Sequence, residues 1–315
     1  MVKCQAEPQP ESETVTDDAN QIETLTRINL QDFMDAWGLG QVRRGRRLLE
    51  WLFTRPARRF AHEVAAYDAE VGQHGLQAGA NLAARRFIRR LQIRGRANIP
   101  SSGPVLVLAN HPGLADAISI FAALPRADLR IIAAERPFLN ALPHTSRRLI
   151  YVPDQAEGRM AVVREATKHL KQGGAILTFP AGRIEPDPAV MPGAVESLQS
   201  WSESIALFAR LAPQTRIVPA IISGVISAAS LRLPVIRVRR DQKDRERLAA
   251  MLQILLQPVL PAYKPACVRV DFYAPLLAAD LIKRGDSATV IRAVTDRARR
   301  LIEQVESNRP PGIKI

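Results

Sequence analysis

The residue types best suited to chemistry are His111 and Asp116, which follow the apolar run Val105–Ala109. That run predicts a buried strand, and open α/β sheets place their ligands at the carboxyl ends of strands. If the chain turns helical at Pro112, Asp116 comes round to face His111. A carboxylate on one imidazole nitrogen would fix the tautomer and leave the other nitrogen to take a proton from an attacking hydroxyl. The pair therefore indicates general-base catalysis.

The same two residues have a simpler interpretation. His111 can be a polar residue in a strand-to-helix turn, and Asp116 a solvated residue of the following helix. The chain contains five histidines, so one His followed five positions later by Asp is a weak signal. The position at a strand end, with Pro112 and Gly113 in the loop, favours a functional pair, but the spacing alone leaves both interpretations open.

Two further strand ends carry candidate residues. In Thr178–Arg183 an apolar strand runs into Pro180 and Gly182 and then presents Arg183, whose guanidinium can bind a phosphate through two hydrogen bonds. The second is an apolar run interrupted by Pro219, which predicts a strand end near a sheet edge. Taken alone, the first segment is more typical of an ordinary strand-ending turn with an exposed arginine, and the second indicates only a strand end.

Apolar runs of strand length alternate with helical patterns along most of the chain. The predicted strands are Val105–Ala109, Leu129–Ala133, Leu149–Val152, Ala175–Phe179, Ile217–Ile222 and Val268–Tyr273. The predicted helices are Leu114–Leu124, Gly158–Lys171, Ala194–Leu211, Arg245–Leu256 and Thr289–Glu306. This alternation predicts an α/β fold with a mixed, largely parallel sheet flanked by helices and preceded by a basic N-terminal helical segment.

Taken in order, the three strand-end segments resemble the glycerolipid acyltransferase family, which includes 1-acylglycerol-3-phosphate and glycerol-3-phosphate acyltransferases. Its first block, N-H-x-x-x-x-D, is matched by Asn110, His111 and Asp116. The third block, F-P-E-G-T-R, is matched by Phe179, Pro180 and Gly182, and the fourth, V-P, by Val218 and Pro219. The resemblance covers about residues 96–280, and the first block is its most specific part.

The resemblance implies an O-acyltransferase of phospholipid biosynthesis that moves a fatty acyl group from acyl-CoA or acyl carrier protein to a hydroxyl of a lysophospholipid or related lipid. His111 would be the general base and Asp116 its partner. No cofactor and no metal are expected. The substrate-binding residues would be Asn110, Gly113, Phe179, Pro180, Gly182, Arg183 and Pro219.

The chain departs from the family pattern in the predicted acceptor site. Ala181 stands where the third block has its acidic residue, and the arginine comes one place early, as Arg183. The second-block arginine for the acceptor phosphate has no clear match near Tyr151–Asp154, and the candidates to replace it are Arg147, Arg148 and Arg159. The acceptor therefore stays open, and a different hydroxylated or amine-bearing lipid is an alternative.

Charge divides the chain into segments. One lysine against five acidic residues gives residues 1–22 a charge of −4, which leaves +17 on the rest of a chain whose formal net charge is +13. We expect an acidic disordered tail over 1–22, a basic amphipathic helical segment over 23–95, the acyltransferase α/β domain over 96–308 and a loose tail over 309–315. The two cysteines, Cys4 and Cys267, form no ligand-like spacing and favour a reducing compartment.

The basic segment predicts attachment to an anionic membrane surface. It interleaves aromatic residues with arginines, and we see neither a secretory signal nor a spanning helix, so the expected location is peripheral, at the cytoplasmic face. The aromatic residues concerned are Trp51, Phe53, Phe60 and Phe87. They could instead pack on the α/β domain.

Two other functions compete with the enzyme. Retention of the fold without turnover would give a catalytically inactive lipid-binding protein, an alternative that Ala181 keeps open. A nucleic-acid-binding protein would also suit the positive charge, but the sequence contains no zinc pattern and no basic helix with heptads, so no nucleic acid is expected.

Overall fold

A computed structural model describes residues 11–36, 46–153, 155, 158–233, 236, 248–249, 252–253 and 266–308 of the chain. The strands are β1 (Arg90–Arg94), β2 (Val105–Ala109), β3 (Leu129–Ala134), β4 (Leu149–Val152), β5 (Ala175–Thr178), β6 (Arg216–Ser223), β7 (Cys267–Phe272) and β8 (Leu276–Leu277). The helices are α1 (Glu11–Ala36), α2 (Arg46–His74), α3 (Leu76–Phe87), α4 (Leu114–Ala123), α5 (Pro137–Asn140), α6 (Pro143–Ser146), α7 (Arg159–Lys171), α8 (Ala194–Ser197), α9 (Ser204–Leu211), α10 (Ala228–Leu231), α11 (Ala278–Lys283) and α12 (Ser287–Ser307).

The described strands form one mixed, largely parallel sheet in the order β1-β7-β6-β2-β5-β3-β4, with β8 paired to β6. Strands β6, β2, β5, β3 and β4 run parallel, whereas β7 is antiparallel to β6 and parallel to β1. The predicted fold class is confirmed. Because parallel strands share one direction, the loops that follow β2, β3, β4 and β5 all leave at the same side of the sheet, which we call the carboxyl edge; the opposite side is the amino edge.

The central strand β2 is apolar throughout because both of its faces are covered. Successive side chains of a strand point to opposite faces, so Val105 and Val107 join one core and Leu106 and Leu108 the other. The first core also contains residues of α2, α3 and α4, and the second contains residues of α7, α9 and α12. The sheet is thus the middle of three layers.

Helices α1 to α3 pack on this fold through most of the aromatic residues that were predicted to meet the membrane. Phe33 of α1 contacts Phe53 with ring centroids 4.2 Å apart. Phe60 lies against Phe87 and Phe138, with ring centroids 5.7 and 6.5 Å away. Phe60 and Phe87 are buried, so the membrane interpretation is wrong for both of them. Among the four predicted aromatics, Trp51 is exposed, at 71%.

Two predicted boundaries differ from the structure. Helix α1 already begins at Glu11, so residues 11–22 are helical although their polar composition predicted a disordered tail; the Gln21 side chain donates to the carbonyl of Ala141, 2.9 Å away. Strand β1 lies inside the segment predicted to be helical. Its sequence alternates charged or polar residues with Leu91 and Ile93, the period of an edge strand, and the tail of the basic helical pattern obscured this alternation.

Two predicted elements are also corrected. The helix predicted over Ala194–Leu211 is broken into α8, a short 3-10 turn at Leu198–Ser200, and α9. Pro219 does not end its strand, because β6 continues through it to Ser223 and the Pro219 carbonyl accepts a hydrogen bond from the Tyr273 amide. Most of the predicted helix 245–256 and residues 309–315 lie outside the described residues.

No helix in the described ranges is long and apolar enough to cross a membrane.

Arg126 connects three loops at the amino edge. Its side chain is 4% exposed, forms a bidentate pair with Asp128 and donates to the carbonyls of Pro100, Gly103 and Gly173. A buried guanidinium shared among carbonyls is costly to remove, because those carbonyls are then left without a donor. Arg126 therefore fixes the amino ends of β2, β3 and β5.

We expect Arg126→Ala to lower the free energy of unfolding by about 1–3 kcal/mol, the usual cost of leaving hydrogen-bonding groups unpaired. Arg130→Ala is the matched control, since Arg130 pairs with Glu165 at the surface with side chains 36% and 50% exposed. Its expected loss is below about 1 kcal/mol. Urea unfolding followed by circular dichroism measures both values, and equal losses would contradict the role given to Arg126.

Candidate active site

His111 and Asp116 lie at the carboxyl edge, in the loop between β2 and α4. His111 Nδ1 is 2.7 Å from Asp116 Oδ2, as the pairing predicted from the sequence requires. An ionised carboxylate can only accept hydrogen bonds, so the hydrogen lies on Nδ1 and the imidazole keeps Nε2 unprotonated when the ring is neutral. The His111 side chain is 29% exposed, so part of the ring is open to solvent.

The Asp116 side chain is completely buried, contrary to the alternative that it is a solvated helix residue. Its Oδ2 also accepts from the Gly113 backbone N–H at 2.9 Å, and its Oδ1 accepts from that of Ala117 at 2.5 Å. Asp116 is the third residue of α4, where free N–H groups and the helix dipole favour negative charge. The start of α4 therefore stabilises the carboxylate that holds the histidine.

Opposing effects act on the pKa of His111. Burial lowers it, but the charge of Asp116, the hydrogen bond to that residue and the charge of Glu185 raise it, and the net pKa lies above the usual 6.5. The two carboxylates stabilise the imidazolium, which is the form of the ring that exists after it has accepted a proton.

Asn110 fastens the end of β2 to β6. Its Nδ2 donates to the Ile222 carbonyl at 2.9 Å, and its Oδ1 accepts from the Ile222 amide at 2.7 Å. The residue is buried, and both ends of its amide are used by a neighbouring backbone. This geometry favours a structural role over the predicted contact with substrate. The Gly113 N–H likewise donates a hydrogen bond to Asp116 and is not available to a substrate.

The loop after β5 brings the third-block residues to the histidine. The Phe179 ring lies 4.6 Å from the His111 ring, centroid to centroid. The chain then turns back at Gly182, whose φ of +62° favours glycine and whose amide donates to the Phe179 carbonyl. Pro180 is buried, while Arg183 is exposed beside the turn. Pro219 lies further away, inside β6 and level with Leu108.

Glu185 is a site residue that the sequence analysis missed. It lies in the same loop, four residues beyond Ala181, and is 3% exposed. Its Oε2 accepts from the His111 backbone N–H at 3.0 Å, and its own N–H donates to the His111 carbonyl at 2.8 Å. An acidic residue displaced by four positions from a recognised block gives no sequence signal of its own, because the loop conformation alone brings it to His111.

The structure separates the arginines proposed for an acceptor phosphate. Arg148 directly precedes β4 and donates to the Ala127 carbonyl at the amino edge. The strand register places it level with Leu106, five residues below His111, or about 16 Å along the strand. Arg147 and Arg148 line a groove of about 300 Å³ on that side. They therefore cannot bind an acceptor held at His111.

Arginines on the catalytic side occupy the loops that leave the carboxyl edge. Arg136 follows β3, Arg159 begins α7 after β4, and Arg183 follows β5. All three are exposed. Of the candidates named from the sequence, Arg159 and Arg183 are on the same side of the sheet as His111, and the structure adds Arg136.

In the part of the chain that the structure describes, no group of three or more His, Cys, Asp or Glu side chains is placed to hold a metal ion. The chemistry available from the described side chains is proton transfer by a buried His–carboxylate pair, beside an exposed loop with a positively charged side chain.

Comparisons with known proteins identify a family for part of the chain. Residues 90–223 match the model of the family described as Acyltransferase, which confirms the resemblance predicted from the sequence. The match starts at β1, not at residue 96. A comparison with curated proteins finds no match. Among solved structures, the 1-acyl-sn-glycerophosphate (LPA) acyltransferase PlsC from Thermotoga maritima is similar at 14% identity, covering 95% of this chain and 99% of that one, with a TM-score of 0.46.

The raised pKa of His111 can be tested without any substrate. We expect an NMR titration of its ring protons to give a pKa above 6.5 in the wild type and a lower one in Asp116→Asn, because that change removes the largest contribution that raises it. The ring signals of His74, an exposed histidine that pairs with Glu70 in α2, should be the same in both proteins and serve as the internal reference. A His111 pKa that is unchanged in the variant would contradict the pairing.

Proposed function

We propose, from the premise that residues 90–223 form an acyltransferase domain, that this protein transfers a fatty acyl group from a thioester donor to a hydroxyl of a lysophospholipid or related lipid. The observation that carries the proposal is the buried Asp116 carboxylate 2.7 Å from His111 at the carboxyl edge of the sheet. We take the donor to be acyl-CoA or acyl carrier protein and the acceptor to carry an anionic group.

In the proposed reaction, His111 Nε2 removes the proton from the acceptor hydroxyl as its oxygen attacks the thioester carbonyl. The carbon–oxygen bond forms, the carbon–sulfur bond breaks, and the imidazolium returns its proton to the departing thiolate. Asp116 keeps the hydrogen on Nδ1 and stabilises the imidazolium between these steps. No acyl-enzyme is required, because the acceptor attacks the thioester directly.

Recognition of the acceptor is assigned to the loops after β3, β4 and β5. Arg183 leaves the loop that contacts His111, and Arg136 and Arg159 leave the two strands beyond it in the sheet. Guanidinium groups bind phosphates well through paired hydrogen bonds, which supports a phosphate-bearing acceptor. Gly182 and Pro180 shape the turn that presents Arg183, as the resemblance implies.

The first prediction of this proposal is enzymatic. Labelled acyl-CoA and acyl carrier protein are each offered with a panel of lysolipids, and His111→Ala should reduce transfer by about 10²–10⁴, the usual contribution of a general base. Because the active base is neutral and its pKa is raised, the wild-type rate should fall as the pH drops through a midpoint above 6.5.

His74→Ala is the matched control and should keep wild-type activity, since His74 is exposed at the far end of α2. Folding of each variant is verified by circular dichroism. Equal activity of folded His111→Ala and wild type would sink the proposed mechanism. A wild type that binds lipid vesicles but transfers no acyl group from either donor would favour the inactive lipid-binding alternative.

We further propose that the enzyme works as a peripheral protein on the cytoplasmic face of a membrane, with the carboxyl edge of its sheet facing the lipid. Large apolar side chains support this orientation, because the most exposed of those described lie in segments at this edge: Leu48 68%, Trp51 71%, Leu52 54%, Met160 54% and Ile184 53%. Met160 begins α7 after β4, and Ile184 follows Arg183. Two less exposed ones, Leu211 and Leu277, flank the opposite end of β6.

The direction of α2 places its first turns beyond the catalytic edge. Phe60 contacts Phe138, just after the carboxyl end of β3, whereas Asp68 accepts hydrogen bonds from Thr145, shortly before the amino end of β4. Residues 48–52 precede Phe60 by about 12–18 Å of helix. They therefore extend past the sheet on the side of His111.

The same helix face combines apolar and basic groups. Leu48, Trp51, Leu52 and Arg55 have the spacing of one helical face, and the exposed residues Arg47 and Arg58 flank it. Each cation close to an anionic leaflet contributes about 1 kcal/mol, so a few arginines and the apolar insertion together suffice for attachment.

The triple change Leu48→Ser, Trp51→Ser and Leu52→Ser should reduce binding to vesicles containing anionic lipid by at least about tenfold, because it removes the inserted apolar area. Cosedimentation with vesicles measures this. Leu211→Ser, an exposed leucine at the amino edge, should bind like wild type. Undiminished binding by the triple variant would count against this surface, and strong wild-type binding to neutral vesicles at high salt would count against an electrostatic contribution.

A further inference from the structure

Glu185 makes two backbone hydrogen bonds with His111. The His111 N–H donates to Glu185 Oε2 at 3.0 Å, and the His111 carbonyl accepts from the Glu185 N–H at 2.8 Å. One residue therefore bonds both backbone polar groups of the histidine. Asp116 fixes the imidazole ring and Glu185 fixes the backbone that carries the ring.

The Glu185 carboxylate is held by donors from outside the loop. Its Oε1 accepts from Ser197 Oγ at 3.0 Å and from Trp201 Nε1 at 3.1 Å. Burial raises the pKa of Glu185, the hydrogen bonds from Trp201, Ser197 and His111 and the charge of His111 lower it, and the net pKa lies above the usual 4.5. These three donors offset much of the cost of burying a charged group. The segment from α8 to Trp201 thus holds the Glu185 carboxyl group beside the histidine.

The same loop supplies a comparison. Asp187, two residues further on, is also fully buried, and it accepts from the amides of Ala189, Gly224 and Ile226. Those donors tie the loop to the segment after β6 and include no atom of His111. Asp187 is a structural carboxylate, whereas the partners of Glu185 include the proposed base itself, and its charge also acts on the imidazole.

We propose that Glu185 is a positioning residue for His111: its carboxylate fixes the histidine backbone, and its charge stabilises the imidazolium that forms when His111 takes the proton of the acceptor hydroxyl. This rests on the proposed acyl transfer. The loop thereby supplies a carboxylate four residues beyond Ala181. The proton moves from the acceptor oxygen to Nε2 and then to the leaving sulfur, while Glu185 takes part in no bond making or breaking.

The charged groups that act on the imidazole come from two elements. Asp116 approaches from α4, and Glu185 approaches from the loop after β5. Both are negative when ionised, so the removal of either charge makes the imidazolium easier to deprotonate. A neutral base then persists to lower pH, and the acidic limb of the rate profile moves in the same direction.

The test compares Glu185→Gln with Asp187→Asn, an isosteric change in the same loop. For Glu185→Gln we expect kcat to fall about 10- to 100-fold, the usual effect of a small displacement of a catalytic group, while KM for the donor changes less than about threefold. The acidic limb of the kcat profile should move to lower pH. For Asp187→Asn we expect reduced thermal stability and an acidic limb at the wild-type position.

An acidic limb that stays at its wild-type pH in folded Glu185→Gln, or that moves equally in Asp187→Asn, would overturn the proposal. If Glu185→Gln does not fold, Trp201→Phe removes one donor to Oε1 and keeps the charge. It should lower kcat severalfold without moving the acidic limb to lower pH, and an unchanged kcat would refute the positioning role.

If no acyl transfer is detected, the NMR titration of His111 still decides. The pKa of His111 should be lower in Glu185→Gln than in the wild type, and an equal value contradicts the inference independently of the enzymatic proposal.

Discussion

A carboxylate that has no contact with water has to find its hydrogen-bond partners inside the protein, and Asp116 finds them in the loop that it shares with His111. The N–H groups of Gly113 and Ala117 and the Nδ1 of His111 surround it. Here the chain turns directly from β2 into α4, and the start of that helix supplies the free N–H groups that bind the carboxylate. The path of the loop and the orientation of the imidazole are therefore set by one buried charge.

The sheet converts this local requirement into a site. Parallel strands β2, β5, β3 and β4 end at one edge, so segments far apart in the sequence reach the same surface. Phe179 and Glu185 reach His111 in this way from the loop after β5. Asn110, which directly precedes His111 at the end of β2, binds to β6 through Ile222. His111 is consequently held at its ring by α4, at its backbone by the loop after β5 and through the preceding residue by β6.

Much of this arrangement could be predicted from the sequence. Apolar runs between turn residues predicted the buried strands, and the position of His111 after such a run predicted the location of the site. The predictions that were wrong or incomplete concerned features that depend on tertiary packing. Phe60 and Phe87 share the sequence environment of Trp51, and only the placement of α2 and α3 against the sheet buries the first two. Likewise, Arg148 and Arg159 are both near β4, but the strand direction puts them on opposite sides. Glu185 was missed because a loop fold, not a spacing, brings it to the histidine.

The strand order also divides the active site into two unequal parts. On one side of β2, the Asn110 amide is locked into the backbone of β6, and the Asp187 carboxylate anchors the segment that follows that strand. On the other side, the loops after β5, β3 and β4 present exposed arginines whose side chains form no hydrogen bond or ion pair among the described contacts. Under the proposed function, exchanges at Arg136, Arg159 and Arg183 should therefore change acceptor preference while the contacts that hold His111 stay intact.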